Sequence, residues 1–232
     1  MIDIKKEKSG IIQNIFSESE LDFTSNLMSK LPSHKNKSNS SEWSKSIGQG
    51  HQLYSWFNKK IFSKLKPLFN KDIHLDFGAF CDEKRPFGIH SDYFHKKKRL
   101  GDPCLAILLP LSLDNGDNPL SKSKTIIFNE QDKFADESVA DMEKTYTNSV
   151  NLDRSSIREN NAEHLHDDLL GHCDKEDLKY LTVQNILEWR KGDVCWWGEP
   201  FLHCSNNFPN QGVKSKQFIV IHTYTKEANN FW

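Results

Sequence analysis

The apolar positions change their spacing along the chain, and the change divides it. Ser17-Glu18-Ser19-Glu20 sets a hydroxyl at a helix start with a carboxylate three positions on. Leu21, Phe23, Leu27, Met28 and Leu31 follow at helical spacing until Pro32. The polar run SHKNKSNSSEWSKSIGQG, residues 33–50, predicts a loop. Leu53, Trp56, Phe57, Ile61, Phe62 and Leu65 then trace a second helical face, which Pro67 closes. From residue 73 the period shortens: IHLDFGAFC, CLAILLPLSL and KTIIFNE are short apolar runs bounded by Gly, Pro, Asp and Asn, as strands are. Residues 129–180 interrupt them with a charged, weakly apolar stretch that predicts short helices, such as AEHLHDDLL. Strands resume at TVQNILEW, DVCWWG and KQFIVIHTYT.

These elements predict one mainly β (α+β) domain over residues 1–232. Residues 1–72 form a helical support, 73–128 and 181–226 supply barrel strands, and 129–180 is an insertion. Composition narrows the class. A net charge of -1 holds no excess of positive charge for a polyanion, so no nucleic-acid partner is indicated. The opening MIDIKKEKSGIIQNIF lacks a long apolar core, and no later run reaches the roughly 18 apolar residues a bilayer needs, so the expectation is a cytoplasmic protein without a membrane partner. Five cysteines, an odd number without CxxC spacing, predict reduced thiols.

The candidate chemistry is a metal site. Two imidazoles and one carboxylate on one face of a metal leave positions open for substrate and oxygen, as in non-haem Fe(II) oxygenases. An HxD pair on a strand delivers two such ligands to one side. Composition alone produces about one HxD match by chance, and the chain has four: His74-Leu-Asp76, His90-Ser-Asp92, His166-Asp-Asp168 and His172-Cys-Asp174. The pair must lie near a barrel mouth, be followed by further strands, and find a third ligand on a late strand. His90 and Asp92 meet all three conditions. His74 lies at the beginning of its strand and reads as an ordinary strand residue. His164, Asp168 and His172 share a helix face by their i, i+4 spacing, which admits zinc but is explained more simply by a solvated acidic helix.

The third ligand comes from WRKGDVCWWGEPFLHCSNNFPNQGVKSKQFIVIHTYT. Here Lys191-Gly192-Asp193 turns into an aromatic strand, and His203 enters a polar turn ahead of a last strand headed by Lys214 and Lys216. Taken alone, His203 reads as a strand-end histidine, and the two lysines as an exposed strand start. Yet Lys214 and Lys216 share one face, and an inward ammonium calls for an anion.

This layout resembles the HxD-type Fe(II)- and 2-oxoglutarate-dependent dioxygenases, whose pattern is HxD, a long gap, a distal His, and a basic residue a dozen or so positions later. His90, Asp92, His203 and either Lys214 or Lys216 occupy those places, with Lys216 preferred. HSDYFHKKKRLGDPCLAILLPLS with TIIFN is similar to the prolyl hydroxylase branch, and HCSNNF with KQFIVIH to the phytanoyl-CoA hydroxylase branch. The resemblance covers about 73–128 and 181–226. It implies a double-stranded β-helix (jelly roll, cupin-like) with the N-terminal helices packed outside, and Fe(II) held by His90, Asp92 and His203. It further implies 2-oxoglutarate as co-substrate, its distal carboxylate on Lys216 or Lys214, and O2 at the last open position. The implied outcome is hydroxylation of an unactivated C–H bond with release of succinate and CO2. Because Asp92 is present, halogenation is disfavoured. Tyr93 is a candidate contact, and Lys96, Lys97, Lys98 and Arg99 are candidates to line the entrance for a small-molecule or peptidyl substrate. The competing readings are a non-catalytic jelly-roll binding module and a cupin-type metalloenzyme that does not use 2-oxoglutarate.

Overall fold

A computed structural model of the chain describes residues 1–31, 34–35, 42–92, 102–132 and 152–226. Among the described residues ten strands form two antiparallel sheets: β1 (Ser9–Ile12), β2 (His34–Lys35), β3 (Glu42–Gly48), β4 (His74–Glu83), β5 (Asp102–Leu113), β6 (Lys124–Gln131), β7 (Val183–Glu188), β8 (Val194–Gly198), β9 (Phe201–Ser205) and β10 (Lys216–Thr225). The larger sheet runs β1-β8-β5-β10-β4-β3-β2 and the smaller β7-β6-β9.

The continuous apolar run of β5 follows from burial on both faces. Leu105, Ile107, Leu109 and Leu111 point away from the smaller sheet into a cluster with Phe57, Ile61, Phe62 and Leu65, while Ala106 and Leu108 point between the sheets. β8 divides in the same way, Trp196 facing the helices and Trp197 the space between sheets. Each fully buried Leu, Ile or Phe contributes about 1.5–3 kcal/mol, so a sheet covered on both faces gains twice over from one strand.

The helical cover has the local causes the sequence supplies. α1 spans Ile4–Glu7 and α2 spans Glu18–Ser29. At the start of α2, Ser17 N–H donates to Glu20 Oε2 (3.1 Å) and Glu20 N–H to Ser17 Oγ (3.3 Å), the reciprocal capping box. The second face is built from α3 (Tyr54–Phe57), a π turn (Asn58–Phe62), an α turn (Ser63–Leu65) and a 3-10 turn (Lys66–Leu68). It lies so close to β4 that a Cβ on Gly78 would stand 2.5 Å from the Phe57 ring, which only glycine avoids.

Three expectations require correction. The polar run 33–50 is not all loop: β3 pairs with β4 along the sheet, with Ile47 buried and Ser46 exposed. β1 pairs with β8, so residues 1–72 contribute strands as well as helices. The described part of the 129–180 segment is not merely solvated: Ala162, Leu170, Cys173 and Leu178 pack on Ile126, Phe128, Leu202 and Cys204, covering the outer face of the smaller sheet. All five cysteines are buried and free, and no helix among the described residues is long and apolar enough to cross a membrane.

Candidate metal centre

β4 ends at Glu83, and the chain returns to lay His90 beside the middle of β9. His90 N–H donates to the His203 carbonyl (2.9 Å) and His203 N–H to the His90 carbonyl (2.8 Å). This antiparallel bridge, with the Ser205 N–H donated to the Phe87 carbonyl (3.3 Å), joins the loop to the smaller sheet. β9 alternates, Leu202 and Cys204 facing the outer cluster and Phe201 the space between sheets, so the phase sends His203 inward. His203 therefore sits mid-strand, not in a polar turn, and His90 and Asp92 lie in a bridged loop, not on a strand. Asp92 N–H donates to the Glu199 carbonyl (3.1 Å) in the turn between β8 and β9.

The side chains converge. One ligand atom each from His90, Asp92 and His203 lies within 4.8 Å of the others, and among the described residues no other metal-sized group of this kind occurs. The Nδ1 of His90 contacts the Gly88 carbonyl (2.8 Å) and that of His203 the Phe201 carbonyl (3.0 Å). A carbonyl only accepts, so each Nδ1 carries a proton and each Nε2 is the nitrogen turned toward the centre. Asp92 Oδ2 lies 3.3 Å from His203 Nε2 and accepts from the Trp197 indole N–H (3.2 Å). His90 keeps an edge at the surface, yet protein surrounds it closely enough that desolvation, with the neighbouring His203, pushes its imidazole down to about 3. It is neutral, as a ligand must be. For Asp92 burial works the other way, but His203, with His222 and His90 behind it, outweighs burial and holds the carboxyl well below the usual carboxylate range.

Lys216, the first residue of β10, is buried (2% exposed). Its Nζ stands 5.0 Å from the Phe208 ring centre, 5.1 Å from Trp189, 5.3 Å from Phe87 and 5.4 Å from Phe218. The Phe87 ring is also 5.6 Å from that of His90, so the lysine and the histidine flank one aromatic side chain. Burial draws the ammonium down to about 8, against the pull of Glu83, Cys81 and Cys204. Lys214, by contrast, is exposed, and its backbone N–H donates to Asp114 Oδ1 (2.8 Å).

The other HxD pairs stand elsewhere. His74 Nε2 pairs with Asp72 (3.1 Å) and its ring stacks on Tyr224. His166 contacts Asp167, and Asp168 is exposed. The helix predicted to align His164, Asp168 and His172 is a 3-10 turn (Ala162–Leu165) followed by a π turn (His166–Leu170), and His172 lies beyond its end. Its Nε2 donates to the Phe87 carbonyl (2.9 Å), while Asp174 caps the next helical turn. Tyr93, Lys96, Lys97, Lys98 and Arg99 lie outside the described residues.

Three residues of the site escaped the sequence reading. Trp197 was legible in principle, because the alternation of VCWW places Trp196 and Trp197 on opposite faces. Glu199 and His222 form a buried pair behind Asp92 (Oε1 to Nδ1 3.2 Å) that no local signal marks.

No protein-family model and no curated protein matches the chain. Solved structures match its fold, the double-stranded β-helix. It is similar to an oxidoreductase of the 2OG-Fe(II) oxygenase family from Burkholderia pseudomallei (TM-score 0.54, 8% identity, 97% of this chain and 89% of that one). It is also similar to SnoN, a non-heme alpha ketoglutarate dependent epimerase from nogalamycin biosynthesis (TM-score 0.56, 9% identity, 95% and 80%). A third is EvdO2 from Micromonospora carbonacea var. aurantiaca, complexed with 2-oxoglutarate (TM-score 0.51, 9% identity, 97% and 91%). At these identities the likeness is one of fold.

Proposed function

We propose that the chain is an Fe(II)- and 2-oxoglutarate-dependent oxygenase that hydroxylates a C–H bond of a small-molecule or peptidyl substrate. The observation that carries this reading is the convergence of His90, Asp92 and His203 within 4.8 Å. The residues fit a divalent ion: two imidazoles whose Nε2 atoms face the centre and an ionised carboxylate are a donor set for iron with positions left open. Lys216 supports the co-substrate, because a buried ammonium ringed by aromatics gains most from a carboxylate brought to it.

In this reading His90, Asp92 and His203 hold the metal and Lys216 pairs with the far carboxylate of 2-oxoglutarate. Bound Fe(II), with 2-oxoglutarate and O2, supplies oxidative decarboxylation to succinate and CO2 coupled to oxidation of the substrate. Asp92 supplies the negative charge that offsets the metal's, and the Gly88 and Phe201 carbonyls keep both imidazoles turned toward it. Phe87, Trp189, Phe208 and Phe218 exclude water around the Lys216 ammonium, which strengthens its attraction for an anion.

The test is succinate release from 2-oxoglutarate by protein loaded with Fe(II) under air, assayed with and without candidate substrates. Metal-dependent succinate is the expected result. Iron-loaded protein that neither binds nor decarboxylates 2-oxoglutarate overturns the proposal.

A further inference from the structure

Trp197 is buried on the face of β8 that looks between the sheets, and it touches two of the three proposed ligands at once. Its indole N–H donates to Asp92 Oδ2 at 3.2 Å, and its ring lies 4.8 Å from that of His203 at 48°. An indole N–H only donates, so once buried it needs an acceptor, and Asp92 Oδ2 provides one. The same oxygen faces His203 Nε2 at 3.3 Å, so one side chain sets both the rotation of the carboxylate and its separation from the imidazole. Backbone hydrogen bonds tie the loop to β9 and to the turn before it and so place the Asp92 backbone, but the rotation of the carboxylate is left to its side-chain partners. Trp196, its neighbour, faces the helices and packs edge-on against Phe69 (5.5 Å), far from these contacts.

We propose that Trp197 is a positioning residue of the metal centre, its indole N–H fixing the Asp92 carboxylate in the orientation that completes the ligand set. This rests on the metal site of the proposed function. Trp197→Phe keeps an aromatic ring and removes the N–H, and Trp196→Phe removes the same group from the opposite face of the strand.

The experiment measures Co(II) binding to wild type, W197F and W196F by calorimetry, together with the visible spectrum of the bound Co(II). W197F is expected to bind about 10- to 100-fold more weakly with a displaced spectrum, and W196F to match wild type. A lost packing contact alone would lower both variants' stability without singling out the Co(II) spectrum of W197F. If wild type binds Co(II) and W197F matches it in affinity and spectrum, the role of Trp197 is overturned and the metal site stands. If wild type binds no Co(II), the metal site itself fails and takes this role with it. Should W197F lose its near-ultraviolet circular dichroism, the contact is read in folded protein with 15N-labelled tryptophans. Of six indole N–H resonances, one is expected to move in Asp92→Asn, and no movement overturns the proposal.

Discussion

His74-Leu-Asp76 and His90-Ser-Asp92 stand at the two ends of one stretch of chain and carry the same spacing of the same side chains. The first begins β4, where His74 pairs with Asp72 and stacks on Tyr224. The second follows β4, where two backbone hydrogen bonds tie His90 to His203 and the carboxylate meets an indole N–H. What separates them is the strand each one meets: β9 brings a second imidazole to one pair, and among the described residues the other pair joins no such group. Lys214 and Lys216 repeat the lesson two residues apart, one exposed and one ringed by four aromatic side chains. A motif acquires chemistry here from what a distant strand places opposite it.

The sharpest way to break the contrast is to exchange the carboxylates for alanine. Asp92→Ala is expected to cost more metal affinity than the roughly 10- to 100-fold typical of losing a supporting residue, whereas Asp76→Ala leaves metal affinity within about twofold, as measured by calorimetry. Equal effects would place the two pairs on the same footing and end the assignment. Lys216→Met is expected to weaken 2-oxoglutarate by about 30-fold or more, following the 2–5 kcal/mol cost of leaving a buried charge without its partner. Lys214→Met should leave that dissociation constant in place. Comparable losses for both lysines would show that general positive charge, not the buried ammonium, attracts the co-substrate.

A smaller effect comes from pH. Lys216 is held at about 8 against an ordinary 10.5, so it loses its charge while other lysines keep theirs. Co-substrate affinity is expected to fall by up to about tenfold per pH unit above that value, an effect absent in K216M. The sign for stability is opposite. Between about pH 8 and 10.5 the unfolded chain holds a proton that the folded chain has released, so co-substrate-free protein gains stability as pH rises through this window. A thermal-unfolding series over the same range reads it, and a co-substrate dissociation constant flat across pH 8 removes Lys216 from the site. The smallest effect belongs to His172. His172→Ala removes the bond to the Phe87 carbonyl and is expected to cost about 0.5–1.5 kcal/mol in urea unfolding, with metal affinity retained.

Strands β4 to β8 and β10 were legible because burial on one or both faces writes itself as alternation or as an apolar run, as in β5 and β8, whereas β9, five residues with His203 at its centre, read as a polar turn. Lys216 was legible as the head of such a run. β1 and β3 were not, since a strand at or near a sheet edge contributes backbone hydrogen bonds that polar side chains tolerate well. The cover over the smaller sheet was hidden for another reason. Ala162, Leu170 and Leu178 are carried by 3-10, π and α turns in succession, with Cys173 between the last two, so neither a period of 2 nor one of 3.6 connects them. Within the site, His90, Asp92 and His203 could be ranked from strand context. Trp197 with Asp92, 105 positions apart, had no local signature.

The bridge between His90 and His203 also bears on how the protein folds. Its two halves come from loop and strand separated by about half the chain's length, with β5, β6, β7 and β8 formed between them. Contacts of such long sequence separation are late and slow to form, because loop closure precedes any reward. The triad therefore exists only in chains that have already closed the second sheet over the first. A divalent ion held there as proposed would bind folded protein alone and shift the unfolding equilibrium by mass action, about 2.7 kcal/mol at a hundredfold excess over its dissociation constant. In a cell poor in iron, the expected consequence is a shorter-lived protein as well as a less active one.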